Sequence, residues 1–126
     1  MASCSPKRIK TYQAGGAINA YSAVKLTSNG TVEQAGANDK AIGIYQGESA
    51  AASGEFIEVA IQGGGALLKI NENVAVMKLL TSTSTGLGEV ADAADEFCFA
   101  MAMESGVQND IIGVEVISLY VNASDA

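Results

Sequence analysis

Few side chains in this sequence could carry covalent or acid–base chemistry. It has no histidine and no tryptophan, which removes histidine general acid–base catalysis, His-ligated metals and His-activated nucleophiles, the devices behind most hydrolases. Of its two cysteines, Cys4 lies in a polar N-terminal stretch and Cys98 lies inside Phe97-Cys98-Phe99-Ala100-Met101. That apolar setting disfavours the thiolate, so Cys98 reads as core packing rather than as a nucleophile. With no sign of export to an oxidising compartment, a structural Cys4–Cys98 disulfide is not expected. Gly86-Leu87-Gly88-Glu89-Val90-Ala91 matches the dinucleotide fingerprint G-x-G-x-x-A. The fingerprint needs a strand before it and a long helix after it, whereas a Thr/Ser loop precedes this one and a short alanine-acid stretch follows. Gly63-Gly64-Gly65-Ala66-Leu67-Leu68-Lys69 lacks the glycine-lysine-hydroxyl ending of a P-loop and reads as a turn or bulge.

The densest acidic cluster, Asp92, Asp95 and Glu96, has neither the alternating ligand spacing nor the glycine and distal glutamate of a calcium loop, and reads as a solvated turn. Fourteen acidic residues offer many carboxylate pairs, but seven aromatics without a tryptophan furnish a poor sugar-stacking cleft. The expectation is a non-enzyme with no cofactor and no metal.

The elements that would position these residues are strands almost throughout. Val24 and Leu26 alternate with Lys25 and Thr27, Asn29-Gly30 follows, and Thr31-Val32-Glu33-Gln34 resumes the pattern. Asn-Gly between alternating runs predicts a β-hairpin over 23–34, with a type I′ turn that needs positive φ at both central residues. Further strands are expected at 41–46, at 56–62, where Ile57, Val59 and Ile61 share a face, and at 67–70. One or two helical turns are possible at 89–96 and in the alanine loop 50–52. Along 111–121 the apolar parity shifts from Ile112, Val114 and Val116 to Ile117, Leu119 and Val121, as a bulge or a strand buried on both faces would require.

The second half repeats the first in outline. Lys78-Leu79 follows Lys25-Leu26 by 53 positions, Phe99-Ala100-Met101 follows Ile42-Gly43-Ile44 by 57, and Val114-Glu115-Val116 follows Ile57-Glu58-Val59 by 57. In this alignment the loop from Thr81 to Gly88 absorbs the difference. The fold class is therefore all-β, a small barrel or sandwich with a weak internal duplication and at most short helices.

At 126 residues, 48% of them hydrophobic, the chain makes one domain with enough apolar surface for a core. The net charge is −7, and Lys7, Arg8 and Lys10 give the first ten residues +3, so the remainder carries −10. A body this acidic is no free-standing nucleic-acid binder. No apolar h-region follows the basic cluster and no stretch approaches about 18 apolar residues, so neither a signal peptide nor a membrane helix is expected. Residues 1–12 read as an N-terminal arm ahead of a single β-rich domain, 13–126. Within the arm, Lys7, Arg8, Ile9, Lys10 and Tyr12 are candidate contact residues, because their alternation would let an edge strand add to a neighbouring molecule.

The stretch from Ala14-Gly15-Gly16-Ala17 through Ser22-Ala23-Val24-Lys25-Leu26 resembles the opening of tailed-phage capsid cement proteins, also called head decoration proteins. Ile42-Gly43-Ile44, the small-residue loop 48–55, and Ile57-Glu58-Val59-Ala60-Ile61 with Gly63 resemble that family's most recognisable segment. The likeness spans about residues 12–121. Ala100 stands where the first copy has Gly43, and Thr81-Ser82-Thr83-Ser84-Thr85 reads as an insertion in the second hairpin. The resemblance implies a structural subunit made in the host cytoplasm and placed on the outside of an expanded phage head. Its implied partners are the major capsid protein and further copies of itself, typically as trimers, with no nucleic acid and no membrane. A β-barrel ligand- or carbohydrate-binding module of a phage tail or bacterial surface protein is the alternative from another functional class.

Overall fold

In a computed structural model, residues 8–91 and 96–121 are described. Alternating β-branched and small residues give ten strands: β1 (Ile9–Gln13), β2 (Ala23–Leu26), β3 (Val32–Gln34), β4 (Ala41–Tyr45), β5 (Phe56–Ile61), β6 (Gly65–Lys69), β7 (Leu79–Ser82), β8 (Gly88–Val90), β9 (Glu96–Ala102) and β10 (Ile111–Val121). They form two antiparallel five-stranded sheets, ordered β1-β5-β4-β2-β3 and β6-β10-β9-β7-β8, which contact each other as in a sandwich. Neither sheet closes, which corrects the barrel expectation. A single parallel bridge joins the ends of each sheet, Ala14 with Val32 and Ile70 with Gly88. Beyond it the chain turns away to cover a sheet face, so no ladder grows from the bridge. No helix forms at 50–52, where Ala51 bridges Ile18, or at 89–90, which belong to β8. Residues 92–95 of the second expected helical stretch lie outside the described residues.

The strand orders of the two sheets are the same once β1–β5 are read as β6–β10. The pairings Ile9↔Ala60 and Gln13↔Phe56 recur as Gly65↔Glu115 and Lys69↔Ile111. Left-handed residues recur too: Tyr21 (φ 51) matches Met77 (φ 72), and Gly30 (φ 83) matches Gly86 (φ 78). The ladders pair Val24 with Gly43 and Leu80 with Ala100, which upholds the expected match of Ile42-Gly43-Ile44 to Phe99-Ala100-Met101.

The other two offsets are corrected. Lys25-Leu26 corresponds to Thr81-Ser82, since Leu26 pairs with Val32 as Ser82 pairs with Gly88. Ile57-Glu58-Val59 corresponds to Ile112-Gly113-Val114, since Tyr12 pairs with Ile57 as Leu68 pairs with Ile112. The expected insertion at Thr81–Thr85 is absent, because both hairpins close at equal length, Thr27 N–H donating to Thr31 at 2.9 Å and Thr83 N–H to Leu87 at 2.9 Å. A two-residue Lys-Leu identity carried less information than the ladder.

The hairpin expected over 23–34 is present as β2–β3, with a different turn. Of Ser28, Asn29 and Gly30 only Gly30 has positive φ, so the loop is a three-residue type I turn ending in a left-handed glycine rather than a type I′ turn.

Each β1–β2-type connection folds over its own sheet. Ile18 plugs the first, against Val24, Val32, Ile57 and Val59, and Val74 plugs the second, against a larger cluster that includes Leu68, Leu80, Phe99 and Val114. The larger cluster also takes in Ala23, Ala41, Ile44 and Ala60 of the first sheet and the neighbouring Ala35, which join the two halves. The parity shift near the C-terminus is a register shift of β10 on β9 between Val116 and Leu119.

Candidate functional site

The contact residues expected from sequence sit at one edge of the first sheet. Lys7 lies outside the described residues. Residues 9–12, expected to add to another molecule's sheet, pair instead with β5 of their own chain, from Ile9↔Ala60 to Tyr12↔Ile57. The pairing is favourable because Tyr12 packs its ring against the Ile18 cluster while Ile9 and Lys10 stay exposed. Arg8 extends the edge: its carbonyl accepts from Ile61 N–H at 2.8 Å, and its backbone passes so close to Gly64 that a Cβ there would lie 2.6 Å from the Arg8 nitrogen. That close approach is what the triple glycine permits.

Lys10 and Tyr12 lie two apart on one strand face, the ammonium 5.3 Å from the ring centroid, within cation–π range. The structure thus gathers Lys10 and Tyr12 on β1 and Arg8 just before it, with the other side of β1 unpaired at the sheet edge. Such an edge presents backbone donors and acceptors together with positive charge.

The candidates for chemistry are dispersed. Among the described residues no group of three His, Cys, Asp or Glu side chains could hold a metal ion. The G-x-G-x-x-A stretch runs through the turn and second strand of hairpin β7–β8, and among the described residues no helix follows it to receive a phosphate. Cys98 is a free, buried thiol whose pKa burial, with a smaller push from Glu96, raises to about 11. Asp39 accepts from Gly36 N–H at 2.7 Å and from Lys25 Nζ at 3.0 Å, and these bonds hold its carboxyl below the ordinary value. Both belong to a turn that fastens β4 to β2, not to a reactive cleft.

The clefts are open and shallow. One of about 360 Å³ runs along the sheet junction past Lys40, Ile42, Gln62, Phe97 and Ser118. Another of about 400 Å³ lies where the second hairpin meets Ala20 and Tyr21. Sequence reasoning missed both clefts, since their lining residues are far apart in the chain and nothing local marks them.

No protein-family model matches the chain, and no curated protein matches it. Among solved structures it is similar to the head fiber gp8.5 N base of bacteriophage phi29, with a TM-score of 0.63 and 16% identity over 89% of this chain and 97% of that chain. At that identity the likeness shows a shared fold.

Proposed function

We propose that this chain is a non-enzymatic decoration, or cement, protein that binds the outer surface of an expanded tailed-phage head and stabilises it. The observation that carries the reading is the fold shared over nearly the full length of both chains with the base of a phage head fibre. The cement-like motifs at 14–26 and 42–63 point the same way, as does an acidic body bearing a basic edge. In this reading the major capsid protein meets Lys7, Arg8, Ile9, Lys10 and Tyr12, further copies of the chain complete a trimer, and the site of action is the virion surface. Attachment needs no chemistry beyond backbone hydrogen bonds at a sheet edge and screened charge attraction.

Mass spectrometry of gradient-purified particles tests it. A decoration protein is present at a copy number commensurate with the capsid lattice and is found on tailless heads. Detection only on tails, at a few copies per particle, would refute the reading and favour a tail-borne binding module.

A further inference from the structure

The two repeats are joined by a contact that uses different surfaces on each. From the second repeat comes the hairpin β7–β8. Its Gly86 carbonyl accepts from Ala23 N–H at 2.8 Å, and its Ser82 carbonyl accepts from Asn38 N–H at 3.0 Å. The tip fits so closely that a Cβ on Gly86 would stand 3.0 Å from Gln34 Cγ and 3.1 Å from Ser22 Cβ. The first repeat receives it on the segment Tyr21–Ala23, where left-handed Tyr21 turns its carbonyl to accept from Lys69 N–H at 3.0 Å. One hairpin and one receiving surface are consumed.

Among the described residues, duplication leaves the complementary pair uncovered. The first repeat's hairpin has the same length and the same left-handed glycine, yet nothing lies within 4 Å of a Cβ placed on Gly30. Leu26 is 51% exposed, whereas its counterpart Ser82 is fully buried. On the second repeat, Met77 keeps the left-handed conformation of Tyr21 while 61% exposed, beside Val76 at 53%. Leu79, the counterpart of Ala23, accepts from Ala91 at 2.9 Å as Ala23 accepts from Ala35 at 2.9 Å. The backbone at Leu79 therefore repeats that of Ala23, and the free surfaces carry exposed apolar side chains, Leu26 on the hairpin and Val76 and Met77 on the receiving segment.

We infer that a second copy of this chain covers these surfaces, the β2–β3 hairpin of one molecule seating on Val76–Leu79 and Val90 of the next, in a head-to-tail repeat of the internal contact. An interface of this kind is heterologous and gives a closed ring when the rotation between successive chains divides a full turn. Three chains would place six repeats around such a ring. The inference supplies the contact for the self-association in the proposed function and rests on that part of it alone, independent of capsid binding.

Two surface variants and their mixture test the arrangement. Leu26→Asp spoils the hairpin and leaves the receiving surface intact; Met77→Asp does the reverse, with a residue that tolerates positive φ. Sedimentation velocity on the full chain should show association of the unmodified protein, with the half-assembly concentration raised at least tenfold by either substitution. Mixing the two variants should yield a two-copy complex that grows no further, since one good hairpin meets one good surface. A monomeric unmodified chain at about 100 µM overturns the inference, as does a mixture that stays monomeric, which marks a two-fold interface or none. A second readout does not depend on those variants folding. Thr85 and Ala20 line one cleft, so their counterparts should be close between molecules, and an Asn29→Cys chain oxidised with a Val76→Cys chain should give the mixed 29–76 disulfide by peptide mass. Its absence from an oligomer overturns the inference equally. An oligomer that fails to bind heads would instead refute the capsid role, and a head-binding monomer would refute only the head-to-tail contact.

Discussion

The two hairpin glycines provide a paired perturbation. Gly30 and Gly86 have nearly the same φ, +83° and +78°, so alanine at either meets the same left-handed strain, about 1 kcal/mol net of the entropy it removes from the unfolded chain. At Gly30 no atom lies within 4 Å of the new methyl, and the strain is the whole effect. At Gly86 the methyl would lie 3.0 Å from Gln34 Cγ, 3.1 Å from Ser22 Cβ and 3.2 Å from the Ala23 carbonyl oxygen. The Gln34 side chain can shift, but the other two atoms are fixed by β2, so overpacking adds about 1 to 2 kcal/mol. Gly30→Ala should therefore cost about 1 kcal/mol and Gly86→Ala about 2 to 3 kcal/mol. For a chain of this size these losses correspond to roughly 4 °C and roughly 8 to 12 °C in melting temperature. Urea unfolding followed by far-UV circular dichroism, at a concentration where the chain is monomeric, measures both. Equal losses within about 0.5 kcal/mol would refute the reasoning, because the second hairpin could not then be seated on the first sheet.

Asp39→Ala should destabilise by about 0.5 to 1.5 kcal/mol at pH 7 by removing the acceptor for Gly36 N–H. The folded carboxyl titrates below its ordinary value of 3.8, so its contribution is complete above that pH and lost as pH falls through the folded value; an acid unfolding midpoint unchanged by the substitution would contradict this. Cys98, raised from an ordinary 9.0 to about 11, should resist a thiol reagent at pH 8 until urea unfolds the chain. The folded state holds this proton longer than the unfolded one, so stability should fall between about pH 9 and 11, and less steeply in Cys98→Ala. Deleting residues 2–7 keeps Arg8, whose carbonyl accepts from Ile61 N–H, and should leave the melting temperature within about 2 °C while weakening attachment to expanded heads. Raising salt should then weaken the intact protein more than the truncated one; unchanged occupancy of heads at every salt concentration would show that the edge carries no attachment.

Much of the candidate edge was readable before any coordinates. The alternation of Ile9 and Thr11 with Lys10 and Tyr12 pointed to an extended segment able to pair, though with another molecule rather than its own sheet, and the charge count marked it as basic against an acidic body. Its partner was not readable, because which strand Ile9–Gln13 pairs with depends on β5, more than forty residues away, and antiparallel pairing leaves no local trace of the partner's identity. The duplication was visible through apolar spacing, but its register was not. Small insertions and deletions shift the match between strands, and only the ladders fix it.

The sequence by itself determined an all-β chain, the strands between residues 23 and 70, the hairpin at Asn29-Gly30 and the apolar setting of Cys98, because each follows from period-two alternation, turn chemistry or immediate neighbours; β8 stands where helical turns were expected. Tertiary structure alone decided that neither sheet closes and which of two equivalent hairpins is buried. Hydropathy does not decide the latter, since Leu26 is exposed while Ser82, at the same place in its repeat, is buried, and Thr31 and Leu87 differ in the opposite sense. Burial there follows from the order of the two repeats along one chain, which brings the second hairpin to the first sheet and leaves the first hairpin facing outward.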